Sequence, residues 1–229
     1  MGALVTGIIF SGFVTAAPGG AASSAPGVTS NSITIAVEAD VSGPGAVTES
    51  PGGAQARFAL QNAHGGVYGR KIKMVVKDTA TSPTTAGTVA ADIANSDVFG
   101  VVSDSAVMFG GASVLQKAGI PVTGWGYDGN EWAEKPYTNM FTYYPPITTS
   151  FSGQFYAYQY YGKFEKSVGV TKAAGFSYGI SPSSQAATDT LLSSSQAYGV
   201  STCYNNKTVS FGGVDFTAAA LSIKAADCN

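Results

Sequence analysis

Two short clusters in the middle of the chain hold residue types that could do chemistry together. Ser103, Asp104 and Ser105 supply hydroxyls around a carboxylate, and Gly124, Trp125, Gly126, Tyr127 and Asp128 supply an indole, a phenol and a second carboxylate on a glycine-rich backbone. Such a set can hydrogen-bond a polar molecule and stack on it, and aromatic faces beside carboxylates suit a cation. It is poorly equipped for turnover. The chain has one histidine, no G-x-S-x-G elbow, no HExxH and no Walker glycine-lysine loop, so the common nucleophilic, zinc and phosphoryl constellations are absent. The Gly43-Pro44-Gly45 run is not the G-x-G-x-x-G of a dinucleotide site. His64 precedes Gly65-Gly66, where an imidazole meets the last carbonyls of a helix. Two cysteines and this distant histidine are too few for a metal site. Binding without catalysis, cofactor or metal is the expectation.

Those clusters need elements to place them. The apolar run 99–102 reads as a strand ending at the first cluster, a helix-compatible segment leads to Lys117, and a second apolar run, 120–123, ends at the second cluster. In an open α/β sheet, ligands sit at the carboxyl ends of parallel strands, so the two clusters should form one wall of a site. Upstream, residues 32–37 and 71–77 read as strands. A helix over 53–64 stops at the glycine pair, and a second helix starts with Ser82 as cap and Pro83 in first position, with Ala86, Val89, Ala90 and Ile93 on one face. The order β-α-β-α-β-α-β implies parallel strands with right-handed crossovers.

Downstream, 140–143 adds a strand before Pro145-Pro146, which marks a crossing to a second lobe. A helix over 148–161, a strand over 167–174, a helix from Ser181-Pro182, a strand over 200–204 and a helix capped by Asp215 follow. The expected architecture is α/β, with a lobe over 28–145 and a partial lobe over 146–229. Two strands and three helices leave that second lobe incomplete, which suggests a fragment or a truncated gene. Residues 3–14 form an apolar run too short to span a bilayer, and Val14-Thr15-Ala16 has the small-residue spacing of a signal-peptide cleavage site. Residues 1–27 therefore read as signal and flexible leader, with a plain apolar strand as the alternative. The basic n-region of a signal is missing, which would place the true start upstream. In an exported chain the two cysteines, Cys203 in a strand and Cys228 after the next helix, tend to pair. Charged residues are 11% and the net charge is -2, without a Lys/Arg cluster, so neither nucleic acid nor anionic lipid is an expected partner.

Several motifs resemble one family. Ser42-Gly43-Pro44, the run NAHGGVYGRKIKMVVKDTATSP at 62–83, KAGIPV at 117–122 and DFTAAALSIKAAD at 215–227 are similar, in order, to type I periplasmic binding proteins, above all the branched-chain amino acid binding proteins of ABC importers. The resemblance implies two Rossmann-like lobes that close on a small solute, a monomer outside the cytoplasm in the periplasm or at the cell surface, and a membrane permease as partner. It also implies roles. Ser105 matches a hydroxyl that holds a ligand carboxylate, Gly126 a backbone contact, and Tyr178 the second-lobe aromatic that covers the ligand. Asp128 stands where the family has Thr. A like charge about 4 Å from a ligand carboxylate costs roughly 4 kcal/mol at intermediate dielectric. With Asp104, Trp125, Tyr127 and Tyr178 it favours a polar or cationic solute. Structural roles for the same residues stay open: Trp125 packing between lobes, Asp128 capping a turn, Asp104 solvating a loop. A ligand-binding sensor of the same fold is the alternative to a transport protein.

Overall fold

The computed structural model describes residues 25–126, 129–143, 159–213 and 215–229. Its first lobe is one parallel sheet in the order β2-β1-β3-β4-β5, from strands Ser32–Ala39 (β1), Lys71–Asp78 (β2), Gly100–Asp104 (β3), Val122–Gly124 (β4) and Met140–Thr142 (β5). The second sheet pairs Lys172–Tyr178 (β6) with Ser201–Val209 (β7), again parallel. The chain is thus α/β, and the switch in strand order falls between β1 and β3, where the neighbours of β1 diverge.

Helices follow the expected alternation, with instructive shifts. The first, Ser50–Ala63 (α1), starts earlier than expected because Pro51 fits its first turn. The second, Pro83–Ala94 (α2), is capped by Ser82, whose hydroxyl accepts from the Thr85 N–H at 3.3 Å. It buries Ala86, Ala90 and Ile93. The segment expected to be helical up to Lys117 divides into a 3-10 turn, Met108–Gly110, and a six-residue helix, Ala112–Lys117 (α3). Both pack on α2. Three adjacent small residues, Gly110, Gly111 and Ala112, permit that approach: a Cβ on Gly110 would lie 2.1 Å from the Pro83 carbonyl oxygen.

The core of this lobe runs along one sheet face: Ala36, Val101, Val122 and Met140 from four strands, with Ile93, Met108 and Leu115 from above. Burying a side chain such as Ile93 or Leu115 is worth about 1.5–3 kcal/mol. Trp132 closes the end of this face, its ring lying over Gly124, where a Cβ would be 2.6 Å from Cη2.

In the second lobe the strand expected at 167–174 begins at Lys172, because the preceding helix, Gln159–Ser167 (α4), continues through Ser167. Residues 144–158, including the proline pair and most of the helix expected at 148–161, lie outside the described residues. The helix Pro182–Ala197 (α5) is capped by the Ser181 hydroxyl, which accepts from the Ser184 N–H at 3.1 Å, and it packs on β6 and α4. For the last helix, Thr217–Ala225 (α6), the cap residue is Phe216 rather than Asp215; the Asp215 carboxylate accepts from the Thr217 N–H at 2.9 Å in a turn one residue earlier. Cys203 and Cys228 are joined in a disulfide with Cα atoms 5.8 Å apart. The Asn229 side chain accepts from the Thr171 and Lys172 N–H groups, so the end of α6 is tied to both strands.

Candidate functional site

The carboxyl ends of β1, β2 and β3 carry Asp40, Asp78 and Asp104, and the first two organise everything around them. Asp40 is only 3% exposed. Its carboxylate accepts from the hydroxyl of Thr79, from the Ser105 hydroxyl at 2.9 Å and from the Ala106 N–H at 2.8 Å. A buried carboxylate is tolerated when donors replace its lost water, and here three do so. The Ser105 oxygen also accepts from the Val107 N–H at 3.2 Å, and Thr79 and Ser105 lie 3.1 Å apart. One knot of side chains therefore joins the loops after β1, β2 and β3 beneath the strand ends.

Asp78 does a similar job one strand over, nearer the surface. It accepts from the Val41 and Ser42 N–H groups at 3.0 and 3.1 Å, from the Ser42 hydroxyl at 2.6 Å and from the Ala80 N–H at 2.8 Å. Partial burial alone would raise its pKa. The hydrogen bonds from the Ser42 hydroxyl and from the Ala80, Ser42 and Val41 N–H groups outweigh that and hold the carboxyl below its ordinary range. Thr81 completes the anchorage of the 42–47 loop: its hydroxyl donates to the Ser42 carbonyl at 2.8 Å and accepts from the Gly45 N–H at 3.3 Å.

The residues singled out in the sequence take distinct places on this frame. Ser105 lies just past β3, 1% exposed, with its hydroxyl inside the Asp40 knot. Ser103 and Asp104 belong to β3 itself rather than to a turn. The Ser103 side chain is buried beside Gly124 in register, while Asp104 points to the exposed side. Trp125 follows β4 and is 38% exposed. Gly126 is buried at φ +74°, and the Thr142 hydroxyl occupies the side on which a Cβ would stand. Tyr127 and Asp128 lie outside the described residues. In the second lobe, Tyr178 ends β6 and is 40% exposed; its N–H donates to Ser184 Oγ at 3.1 Å, and its ring meets Phe211 edge-on with centroids 4.7 Å apart.

Sequence reasoning passed over Asp40, Thr79, Asp78 and Phe211. In the loop after β1 the sequence reading singles out Ser42-Gly43-Pro44 and not Asp40, although an acidic residue just after an apolar strand is a signal for a strand-end role. No sequence pattern reveals that Asp40 and Ser105, 65 residues apart, meet. Among the described residues no group of three or more His, Cys, Asp or Glu could hold a metal ion. No helix among them is long and apolar enough to cross a membrane.

The arrangement can bind a small molecule: a rigid, hydrogen-bonded floor at the switch in strand order, an exposed carboxylate and indole on one lobe, and a phenol on the other. Several solved structures share the fold. A fatty acid ABC transporter substrate-binding protein from Thermomonospora curvata superposes with TM-score 0.68 at 13% identity, covering 90% of this chain and 51% of that one. A leucine binding protein from Thermotoga maritima gives 0.68 at 14%, covering 85% and 54%. A branched-chain amino acid transporter substrate binding protein from Streptococcus pneumoniae, solved with isoleucine, gives 0.61 at 21%, covering 85% and 54%. The chain thus spans about half the length of these neighbours. No curated protein matches it. A family model described as periplasmic binding protein matches residues 32–229. With two α/β lobes, parallel sheets and a polar floor at the strand ends, the chain belongs to the periplasmic binding protein family and has its type I fold.

Proposed function

We propose that this chain captures a small polar solute, cationic or rich in hydrogen-bond donors, between its two lobes and delivers it to the permease of an ABC importer outside the cytoplasm. The single observation that carries the solute class is the charge of the first-lobe rim. Asp104 is exposed at the end of β3, Asp78 lies near the surface at the end of β2 with buried Asp40 between them, and Asp128 follows in the next loop of the sequence. No Lys or Arg occurs in 38–56, 78–116 or 118–134, the segments from which these loops are drawn. Acidic groups at one mouth set a negative local potential and attract cations and donors. Trp125 and Tyr178 add partly exposed aromatic faces. The neighbours named above carry names as different as fatty acid, leucine and isoleucine, so this rim and not the fold is the guide to the solute.

In this reading the floor of Asp40, Thr79 and Ser105 holds the loops rigid, and Gly126 offers its backbone. Asp104 and Asp128 accept from the solute, and Trp125, Tyr127 and Tyr178 enclose it. The chain turns nothing over, acts as a monomer and is exported, with cleavage after Val14-Thr15-Ala16. Native mass spectrometry of the full-length gene product as purified should show a retained small polar molecule. Calorimetry then tests the charge argument: Asp128→Thr should weaken binding of a cationic or polyhydroxylated solute and improve binding of a simple α-amino acid. An unchanged ranking of solutes would assign Asp128 to turn capping and overturn the cationic preference.

A further inference from the structure

The two lobes touch through a pair of loops that the ligand reading does not use. The 42–47 loop of the first lobe and the 210–213 loop of the second both follow carboxyl ends of strands, β1 and β7. At their meeting point the side chain of Phe211 takes the place a side chain would occupy on Gly45: a Cβ there would lie 2.2 Å from Phe211 Cε1 and 2.6 Å from Cζ. The neighbouring Gly212, at φ +76°, faces Pro44 in the same way, with a built Cβ 2.3 Å from the proline Cβ. Both loops are held from behind. Asp78 and Thr81 grip the first through Val41, Ser42 and Gly45. On the second lobe the edge-on contact with Tyr178 orients Phe211, and the Gly213 N–H closes a turn on the Ser210 carbonyl at 3.0 Å.

We infer that Phe211, seated over Gly45 and Pro44 and steadied by Tyr178, is an aromatic clasp that holds the lobes together before any solute arrives and so sets the balance between open and closed forms. The chemistry is that of a ring packed into a glycine-made recess: contact is gained only when the loops meet, so it favours the closed form selectively. Because Tyr178 touches both the clasp and the expected solute position, solute and clasp should reinforce one another. The inference rests on the two-lobe reading proposed above, and extends it to a residue outside the ligand set.

The test measures lobe separation without needing the solute. In the full-length protein, nitroxide labels at Thr88→Cys on α2 and Ala197→Cys on α5, both exposed positions, report the inter-lobe distance by pulsed electron resonance. Cys203 and Cys228 are paired and escape labelling, and any further cysteine of the full-length protein is replaced by serine beforehand. In dialysed, solute-free protein, Phe211→Ala should lower the ratio of short to long distances roughly two- to tenfold, the scale of one lost aromatic contact. Phe211→Tyr should retain the wild-type distribution. Gly45→Val keeps Phe211 but fills its seat, and should lengthen the distance as well; it decides the matter if Phe211→Ala does not fold. A distribution indifferent to both Phe211→Ala and Gly45→Val overturns the clasp. Native mass spectrometry of the same wild-type sample before dialysis separates the two ideas. A protein that retains no solute but whose lobes respond to Phe211→Ala sinks the transport reading and keeps the clasp.

Discussion

At the scale of single residues, the position of Ser105 decides how its loss should be read. Its hydroxyl donates to a carboxylate that is 3% exposed and accepts from Val107, so Ser105→Ala leaves a buried acceptor short of one donor. That costs about 1–3 kcal/mol of stability. It also frees the 105–107 turn, and solute affinity should fall with it. Asp40→Ala should be worse, since it strips three donors of their acceptor at once. Urea unfolding beside calorimetry separates the roles. Affinity lost at unchanged stability would mean that the Ser105 hydroxyl addresses the solute directly and not the floor.

At the scale of elements, the loop after β1 depends on a carboxylate at the end of β2, and this makes it acid-sensitive. The Asp78 carboxyl lies below its ordinary range in the folded protein, chiefly because hydrogen bonds from Ser42, Ala80 and Val41 outweigh its burial. A depressed folded pKa contributes stability that is fully present above the unfolded value, about pH 4, and is lost as pH falls through the folded value. The wild type should therefore lose stability below about pH 4 more steeply than Asp78→Asn, which lacks the titrating group. Acid titration of the two followed by circular dichroism checks this, and parallel acid limbs would remove Asp78 as the source. The expected coupling to function is direct, because the same loop carries Gly45 and Pro44, the first-lobe half of the clasp.

At the scale of the whole molecule, the second lobe has two paired strands among the described residues and relies on covalent help. The disulfide from Cys203 to Cys228 closes a separation of 25 residues, worth about 3.5 kcal/mol in the chain-entropy model. Together with Asn229 it fastens α6 to β6 and β7. Replacing both cysteines by serine should lower the urea midpoint of this lobe and leave the first lobe's transition in place, which fluorescence and proteolysis can follow separately. Much of this design is local in origin and could be read directly from the chain. Alternating apolar runs imply strands, Ser82-Pro83 and Ser181-Pro182 imply helix starts, and the order of elements implies parallel sheets, because each depends on neighbours within about ten residues. Boundaries shifted where contacts beyond that window decided them, as when β3 ran on through Ser103 and Asp104 because it pairs with β1. The knot of Asp40, Thr79 and Ser105 and the seat of Phe211 on Gly45 were illegible for the same reason. Their partners lie 26 to 65 residues apart for the knot, and in different lobes for the clasp. Hydrogen bonds and ring contacts at that separation leave no periodicity behind them. Residue types and order determined that the chain is a two-lobed α/β protein; only the packing of distant loops determined which side chains build its floor and which join its lobes.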